Sequence, residues 1–314
     1  MSPESVLRVS AAGLEFQNPI VLAAGTAGYG HEVSGVTDLA AIGGLVTKAV
    51  SLEPRQGAPA PRVAEFEGGM INAVGLANPG VDEVCRTHLP WLEVALPGTR
   101  KLVNVVGFVV DEFAEVVQRL EASEHAGGAI DGYELNVSCP NTKAGGMEFG
   151  ADDTALAAVV MQVRRVTHRP VFAKLSPALA DIAHTARVAV DAGAHGITVV
   201  NTIPGLVVDV ETRRPALGFG TGGVSGSAIL PVGVLATWKV ARAVPVPVIG
   251  LGGVRHATDV VQYVLAGASL VGMGTAAMRD PRRPERVVRD LVRWCAAHGV
   301  ANLADLRGTL EWPA

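Results

Sequence analysis

Short apolar runs alternate with helix-period segments eight times along this chain, and this alternation limits the fold more than any other feature. The runs are 19–25, 44–50, 102–107, 133–138, 171–176, 196–201, 246–252 and 269–274. Between them apolar side chains recur at helical spacing, as at Phe113, Val116, Val117 and Leu120. Eight strand–helix units in a chain of 314 residues are what a (β/α)8 barrel needs, so we predict an α/β TIM barrel.

Long insertions are expected after the second, fourth and sixth predicted strands. Residues 53–80 are rich in Pro and Gly and hold two short extended pieces near 63–66 and 70–72, and residues 204–227 form a similar excursion. Loops of this length in compact domains are usually functional. No Pro/Ser-rich linker divides the chain, so we predict a single domain over residues 1–314.

Charge and cysteine content exclude several kinds of site and partner. The net charge of −4 comes without a long basic stripe, so nucleic acid is not expected as a partner. The three cysteines are widely spaced, which favours a reducing compartment over a disulfide framework and predicts no zinc or iron–sulfur site on this chain. No leader-like N-terminus and no apolar stretch of about 18 residues is found. We therefore expect a cytoplasmic protein that is not bound to a membrane.

Polar residues recur where the predicted strands end, and the carboxyl ends of barrel strands carry the chemistry in this fold. They are Lys48, Asn104, Asn136, Lys174 and Asn201. The last two strands end in Gly252-Gly253 and Gly274-Thr275, with helices predicted from Ala257 and Pro284 onward. Glycines there let backbone N–H groups approach a phosphate, so we predict phosphate binding. Residues 218–223 match G-x-G-x-x-G, but they follow no strand directly, which argues against a nicotinamide site.

Cys139 is a candidate catalytic residue. It stands in Asn136-Val-Ser-Cys-Pro-Asn141, a Pro-containing loop after the fourth predicted strand, and is followed by Lys143-Ala-Gly-Gly146. From its position alone, a catalytic thiol and an inert one remain equally open. Cys85 and Cys295 lie in helix-like stretches, where buried or partly buried inert thiols are expected.

Motifs spread over residues 9–278 resemble those of the class 1 dihydroorotate dehydrogenases, and specifically the catalytic subunit of the class 1B form. They include Asn18-Pro-Ile, Pro61-Arg-Val-Ala-Glu65, Gly69-Met-Ile-Asn-Ala-Val-Gly-Leu76, Asn78-Pro-Gly80, Glu134-Leu-Asn-Val-Ser-Cys-Pro-Asn141, Lys174-Leu-Ser-Pro177, Gly222-Gly-Val-Ser-Gly226 and Gly250-Leu-Gly-Gly253. The resemblance implies a barrel that holds one FMN and oxidises dihydroorotate to orotate in UMP biosynthesis. Cys139 would be the base that takes the C5 proton while hydride passes from C6 to the flavin.

The same resemblance assigns binding roles to individual residues. The FMN set is Ala24, Lys48, Ala49, Asn104, Asn136, Lys174, Val200, Gly226, Gly252, Gly253, Gly274 and Thr275. The substrate set is Lys48, Asn72, Ala73, Val74, Gly75, Leu76, Asn136, Asn201 and Thr202. Two departures from the family pattern, Ala24 in place of Ser and Ala178 in place of Asn, bear on flavin affinity.

The loop after Cys139 resembles the class 1B form, which implies a partner. Electrons would pass through a second subunit carrying FAD and a [2Fe–2S] cluster to NAD+, in a heterotetramer of two catalytic and two partner chains. Alternatives are a class 1A-like fumarate-linked enzyme and a related FMN dihydropyrimidine dehydrogenase. A Schiff-base aldolase using Lys48 or Lys174 and a non-enzymatic phosphate-binding barrel also remain open.

Overall fold

The structure is a computed structural model, and it describes residues 6–138, 140–141 and 147–313. Its strands, in chain order, are β1 (Val9–Ala11), β2 (Leu14–Phe16), β3 (Ile20–Leu22), β4 (Gly44–Val46), β5 (Val63–Phe66), β6 (Gly69–Asn72), β7 (Arg100–Val105), β8 (Gly132–Asn136), β9 (Pro140–Asn141), β10 (Met147–Glu148), β11 (Val171–Leu175), β12 (Gly196–Val199), β13 (Ile203–Gly205), β14 (Val208–Asp209), β15 (Arg214–Pro215), β16 (Gly222–Ser225), β17 (Val248–Leu251) and β18 (Leu270–Met273).

Eight of these strands close into a parallel barrel in the order β3-β4-β7-β8-β11-β12-β17-β18. Each lies within or overlaps one of the eight predicted runs, so the predicted (β/α)8 barrel is confirmed. The register places Asn104 opposite Glu134 and Lys174 opposite Asn136. Lys48 and Asn201 lie just beyond strand ends rather than within the strands, because β4 and β12 end earlier than the sequence pattern suggests.

Helices cover the outside of the barrel. They are α1 (Val81–Glu83), α2 (Leu89–Ala95), α3 (Val110–Glu121), α4 (Ala126–Ala129), α5 (Asp153–Val166), α6 (Ile182–Asp191), α7 (Leu230–Ala243), α8 (Ala257–Leu265), α9 (Thr275–Arg279) and α10 (Arg283–Ala297). The predicted apolar face of α3 is fully buried. Between β3 and β4, which the structure describes throughout, the chain makes only the 3-10 turn Leu39–Ala41. The short helix α9 directly follows Gly274, ahead of the helix expected from Pro284.

Strand alternation divides the apolar core into two layers. Side chains such as Leu45, Val103 and Tyr133 face outward and pack under the helices. Side chains such as Leu102 and Phe172 face inward and join the hairpin β1–β2, whose Phe16 is 1% exposed. This inner cluster closes the amino-terminal end of the barrel. The parallel strands are therefore buried on both faces, as their apolar runs indicate.

Two insertions combine into one sheet at the other end of the barrel. The antiparallel order β13-β16-β6-β5 joins strands from the segments that follow β4 and β12. The insertion after β8 pairs β9 with β10, and part of it lies outside the described residues. Among the helices that the structure describes, none has the length and apolar character to cross a membrane.

Candidate active site

A cavity of about 540 Å³ opens at the carboxyl ends of the barrel strands. Residues at or just beyond the ends of all eight strands line it: Ala24, Lys48, Asn104, Asn136, Lys174, Val200, Gly252 and Gly274. A neighbouring cavity of about 440 Å³ shares Asn72, Asn201 and Thr202 with the first. Two adjacent chambers that share polar wall residues are the arrangement expected for a cofactor beside a small substrate.

Hydrogen bonds hold the amide side chains between the two chambers. The Ser138 hydroxyl donates to Asn136 Oδ1 at 2.6 Å, and Asn201 Nδ2 donates to Ser138 Oγ at 2.5 Å. Asn201 Oδ1 accepts from the Thr202 backbone N–H at 2.8 Å. On the opposite wall, Asn72 Nδ2 donates to the Gly223 carbonyl at 3.3 Å. These bonds fix which way each amide faces, so the wall is organised for a ligand with both donors and acceptors.

A buried charged group stands below the larger chamber. Glu134 is 1% exposed, and its Oε1 accepts from Asn104 Nδ2 at 2.7 Å. Lys174 Nζ lies 3.5 Å from the same oxygen, and Lys174 is 5% exposed. Asn104 Oδ1 is buried and has no hydrogen-bond partner among the described residues. An orphaned buried acceptor on a cavity wall fits a site whose missing donor belongs to a ligand.

Glycines shape a crevice of about 60 Å³ at one end of the larger chamber. At Gly253 (φ +75°) an added Cβ would lie 2.6 Å from the Leu230 nitrogen, and at Gly226 (φ +101°) it would lie 2.6 Å from Gly69 Cα. The Thr275 hydroxyl donates to Ser225 Oγ at 2.8 Å beside them. Only glycine therefore fits at these two positions. The exposed backbone leaves room for a compact group such as a phosphate.

Glu148 contributes a carboxyl group to the smaller chamber. Burial raises its pKa above the usual range, while a hydrogen bond from Ser176 partly opposes the shift. Burial in this chamber therefore disfavours ionisation of the Glu148 carboxyl group.

Comparison with known proteins shows where this arrangement belongs. Residues 6–294 match the family model described as dihydroorotate dehydrogenase. A protein of Pelobacter propionicus is 43% identical over 99% of this chain and 100% of its own length. One of Trichlorobacter lovleyi is 42% identical and one of Geobacter sulfurreducens 41%, each over 97% of this chain and 98% of its own length. All three are named dihydroorotate dehydrogenase B (NAD(+)), catalytic subunit.

The chain belongs to the dihydroorotate dehydrogenase family.

For this family member, the structure brings the predicted binding residues together. All twelve residues of the predicted FMN set line the larger chamber. The predicted substrate residues divide between the chambers: Lys48, Val74, Leu76 and Asn136 line the larger one, Ala73 and Gly75 the smaller one, and Asn72, Asn201 and Thr202 both. Their binding roles stay predictions. Cys139, and with it Lys143 and Gly145-Gly146, lies outside the described residues.

Sequence reasoning missed several residues of the site. Ser138, Glu148 and Ser176 line the smaller chamber, and Ser225 the larger one. The three serines and Glu134 stand within family motifs, but none of them was assigned a role from the sequence. The signal that could have found Glu134 is strand alternation, since this residue stands two residues before Asn136 and therefore faces the same side of β8.

The other two cysteines are where inert thiols were expected. Cys85 lies partly buried in the helical turn before α2, and Cys295 is buried in α10. Burial raises the pKa of both thiols, which keeps them protonated and unreactive at neutral pH.

Proposed function

We propose that this chain oxidises dihydroorotate to orotate with a bound FMN, as the redox step of UMP biosynthesis. The observation that carries the proposal is the convergence of the predicted residues on two adjacent chambers at the carboxyl end of the barrel. The family membership and the shared name of the relatives support the same substrate.

The larger chamber fits FMN in both shape and chemistry. Gly226, Gly252, Gly253, Gly274 and Thr275 would hold the phosphate in the glycine crevice. Asn104 and Lys174 would meet the polar end of the ring, where Asn104 Oδ1 offers an unsatisfied acceptor and Lys174 a positive charge. Bound FMN supplies the acceptor for the hydride that leaves C6 of the substrate.

The amide wall would hold the substrate. Asn72, Asn136 and Asn201 can donate to the ring carbonyls of dihydroorotate and accept from its N–H groups. Lys48, which lines the larger chamber, would pair its charge with the substrate carboxylate. Held in this way, the ring presents C5 and C6 in one fixed orientation.

Cys139 would remove the proton from C5. It follows Ser138, which lines the smaller chamber and is bonded to the amide wall. A thiol has a reference pKa of about 8.5, close enough to working pH to serve as a base.

The proposal extends to a partner and a location. The relatives' names contain the words catalytic subunit and NAD(+), and this chain has only three widely spaced cysteines. We therefore infer that FAD and a [2Fe–2S] cluster reside on a second chain that passes electrons to NAD+. A heterotetramer of two catalytic and two partner chains in the cytoplasm completes the proposal.

The direct test adds dihydroorotate anaerobically to the FMN-loaded protein and follows the flavin absorbance. Bleaching within the mixing time or over seconds is the expected result, and dihydrouracil at the same concentration is the control. Flavin that stays oxidised with dihydroorotate would overturn the proposal. Faster bleaching by dihydrouracil would instead indicate a dihydropyrimidine dehydrogenase.

The base is tested with Cys139→Ser. We expect the variant to keep FMN but to reduce it roughly 100-fold more slowly at neutral pH, since Ser ionises far less readily than Cys. An unchanged rate would remove Cys139 from the role.

A further inference from the structure

Glu134 is a buried carboxylate to which the proposed reaction assigns no task. It lies on β8 behind the wall of the larger chamber and is not among the residues that line it. Both of its partners, Asn104 on β7 and Lys174 on β11, do line that chamber. Glu134 therefore connects two site residues that belong to different strands.

The two contacts differ in strength. The Asn104 amide nitrogen donates at 2.7 Å, a full hydrogen bond to a charged acceptor. Because a carboxylate only accepts, the near atom of Asn104 has to be nitrogen, and Oδ1 is left as its unsatisfied acceptor. Lys174 Nζ lies at 3.5 Å, longer than the 2.7–2.9 Å typical of a charged N–H···O bond. The contact of Lys174 with Glu134 is therefore the weaker of the two.

Glu134 is the counter-charge of Lys174. Lys174 is 5% exposed, and Glu134 is its only ion-pair partner in the described part of the chain. An ammonium buried without a counter-charge is costly to the fold. Glu134 thus offsets the cost of placing a positive charge on the chamber wall.

We propose that Glu134 is a positioning residue of the flavin site, which orients the Asn104 amide and holds the Lys174 ammonium beside the bound flavin. The inference rests on the proposed function in one respect, namely that FMN occupies the larger chamber. It does not depend on which substrate the enzyme oxidises.

The test is a double-mutant cycle of Glu134→Gln and Lys174→Met. FMN affinity of the apoprotein is measured by flavin fluorescence, and the midpoint potential of bound flavin by reduction against a reference dye. We expect Glu134→Gln to weaken FMN roughly tenfold, as is common for residues that orient a ligand contact. In the Lys174→Met background the same change should cost less than about threefold, because the coupled partner is absent.

The sign of the potential shift separates two modes of action. If Glu134 holds the Lys174 ammonium against the flavin, its loss lets that positive charge move away from the electron-rich reduced flavin, and the midpoint becomes more negative. If Glu134 acts directly, removing its negative charge makes the midpoint more positive. A positive shift, an equal loss of affinity in both backgrounds or no loss at all would overturn the proposal.

The control is Asp131→Asn, which alters the partly buried carboxylate partner of another buried lysine, Lys101, at the far end of the barrel. It should change neither FMN affinity nor midpoint potential. If Glu134→Gln does not fold, Glu134→Asp replaces it in the cycle; because Asp keeps the charge and only shortens the side chain, this variant is judged by the loss of FMN affinity in the two backgrounds alone. Neither readout uses dihydroorotate. A protein that binds FMN but leaves dihydroorotate unoxidised would therefore refute the proposed function while the cycle still decides the role of Glu134.

Discussion

The barrel carries a buried lysine with a carboxylate partner at each end, and the hydrogen bonds of the two pairs are satisfied differently. At the amino-terminal end, Lys101 Nζ lies 3.8 Å from Asp131 and donates to the Leu96 carbonyl at 2.9 Å. The same carboxylate accepts from the Lys101 N–H and from Arg100, both at 2.8 Å. At the carboxyl end, Lys174 has one loose contact with Glu134, and Asn104 Oδ1 has no partner in the described chain.

The difference separates a structural pair from a functional one. Burial lowers the pKa of Lys101, but its ammonium and the Asp131 carboxylate use protein partners for their hydrogen bonds. Below the chamber, by contrast, Asn104 Oδ1 accepts no hydrogen bond from the described residues, and Lys174 makes only a long contact with Glu134. A buried polar group left unsatisfied costs stability, so its retention is best explained by a ligand. We therefore expect changes at the amino-terminal end to alter stability, and changes at the carboxyl end to alter binding.

The largest expected effect is that of Phe16→Ala. Phe16 is 1% exposed in the cluster that closes the amino-terminal end. Removal of such a ring should lower the free energy of unfolding by about 3–5 kcal/mol, measured by urea denaturation. The control is Phe219→Ala, at a ring that is 64% exposed, where the change in stability should stay within about 0.5 kcal/mol. Equal losses of unfolding free energy in both variants would show that Phe16 is not part of a buried cluster closing the amino-terminal end of the barrel.

Asp131→Asn should have an intermediate effect. It removes the counter-charge of Lys101 while keeping an acceptor, and we expect a loss of about 1–3 kcal/mol in the free energy of unfolding. FMN affinity of the folded variant should be unchanged. Weaker FMN binding with unchanged stability would show instead that the amino-terminal end acts on binding, which contradicts the difference proposed between the two ends.

Glu148→Gln should have the smallest effect and a distinctive pH dependence. Because burial raises the Glu148 pKa in the folded protein, the ionised form costs stability at pH values above it. Below the unfolded-state value both states are protonated, and the cost vanishes. The variant should therefore be more stable than the parent at pH 8, by at most about 1 kcal/mol, and equally stable at pH 4.

Thermal unfolding at the two pH values measures this difference. Glu124→Gln, at a side chain that is 88% exposed, is the matched control and should show no difference between pH 4 and pH 8. A lower melting temperature for Glu148→Gln at pH 8 would show that the ionised carboxylate stabilises the fold.

Much of this architecture could be predicted from local pattern. The eight barrel strands, the apolar face of α3 and the start of α8 at Ala257 follow the sequence prediction closely. Strand residues buried on both faces leave a strong apolar signal, and helix periodicity is readable without tertiary contacts. The 3-10 turn between β3 and β4 and the short helix α9 were not predicted, because segments this short lack a periodic signal.

The sequence by itself determined the barrel, the family and the polar residue types at the strand ends. These are properties of spacing and chemistry along one chain. Only the tertiary structure decided that insertions after β4 and β12 form one sheet, and that Asn104, Glu134 and Lys174 meet. The physical reason is that these contacts join residues 30 to 40 positions apart or more. The partner of a buried polar group depends on the register and closure of the barrel, and neither can be predicted from the pattern of residues within one segment of the sequence.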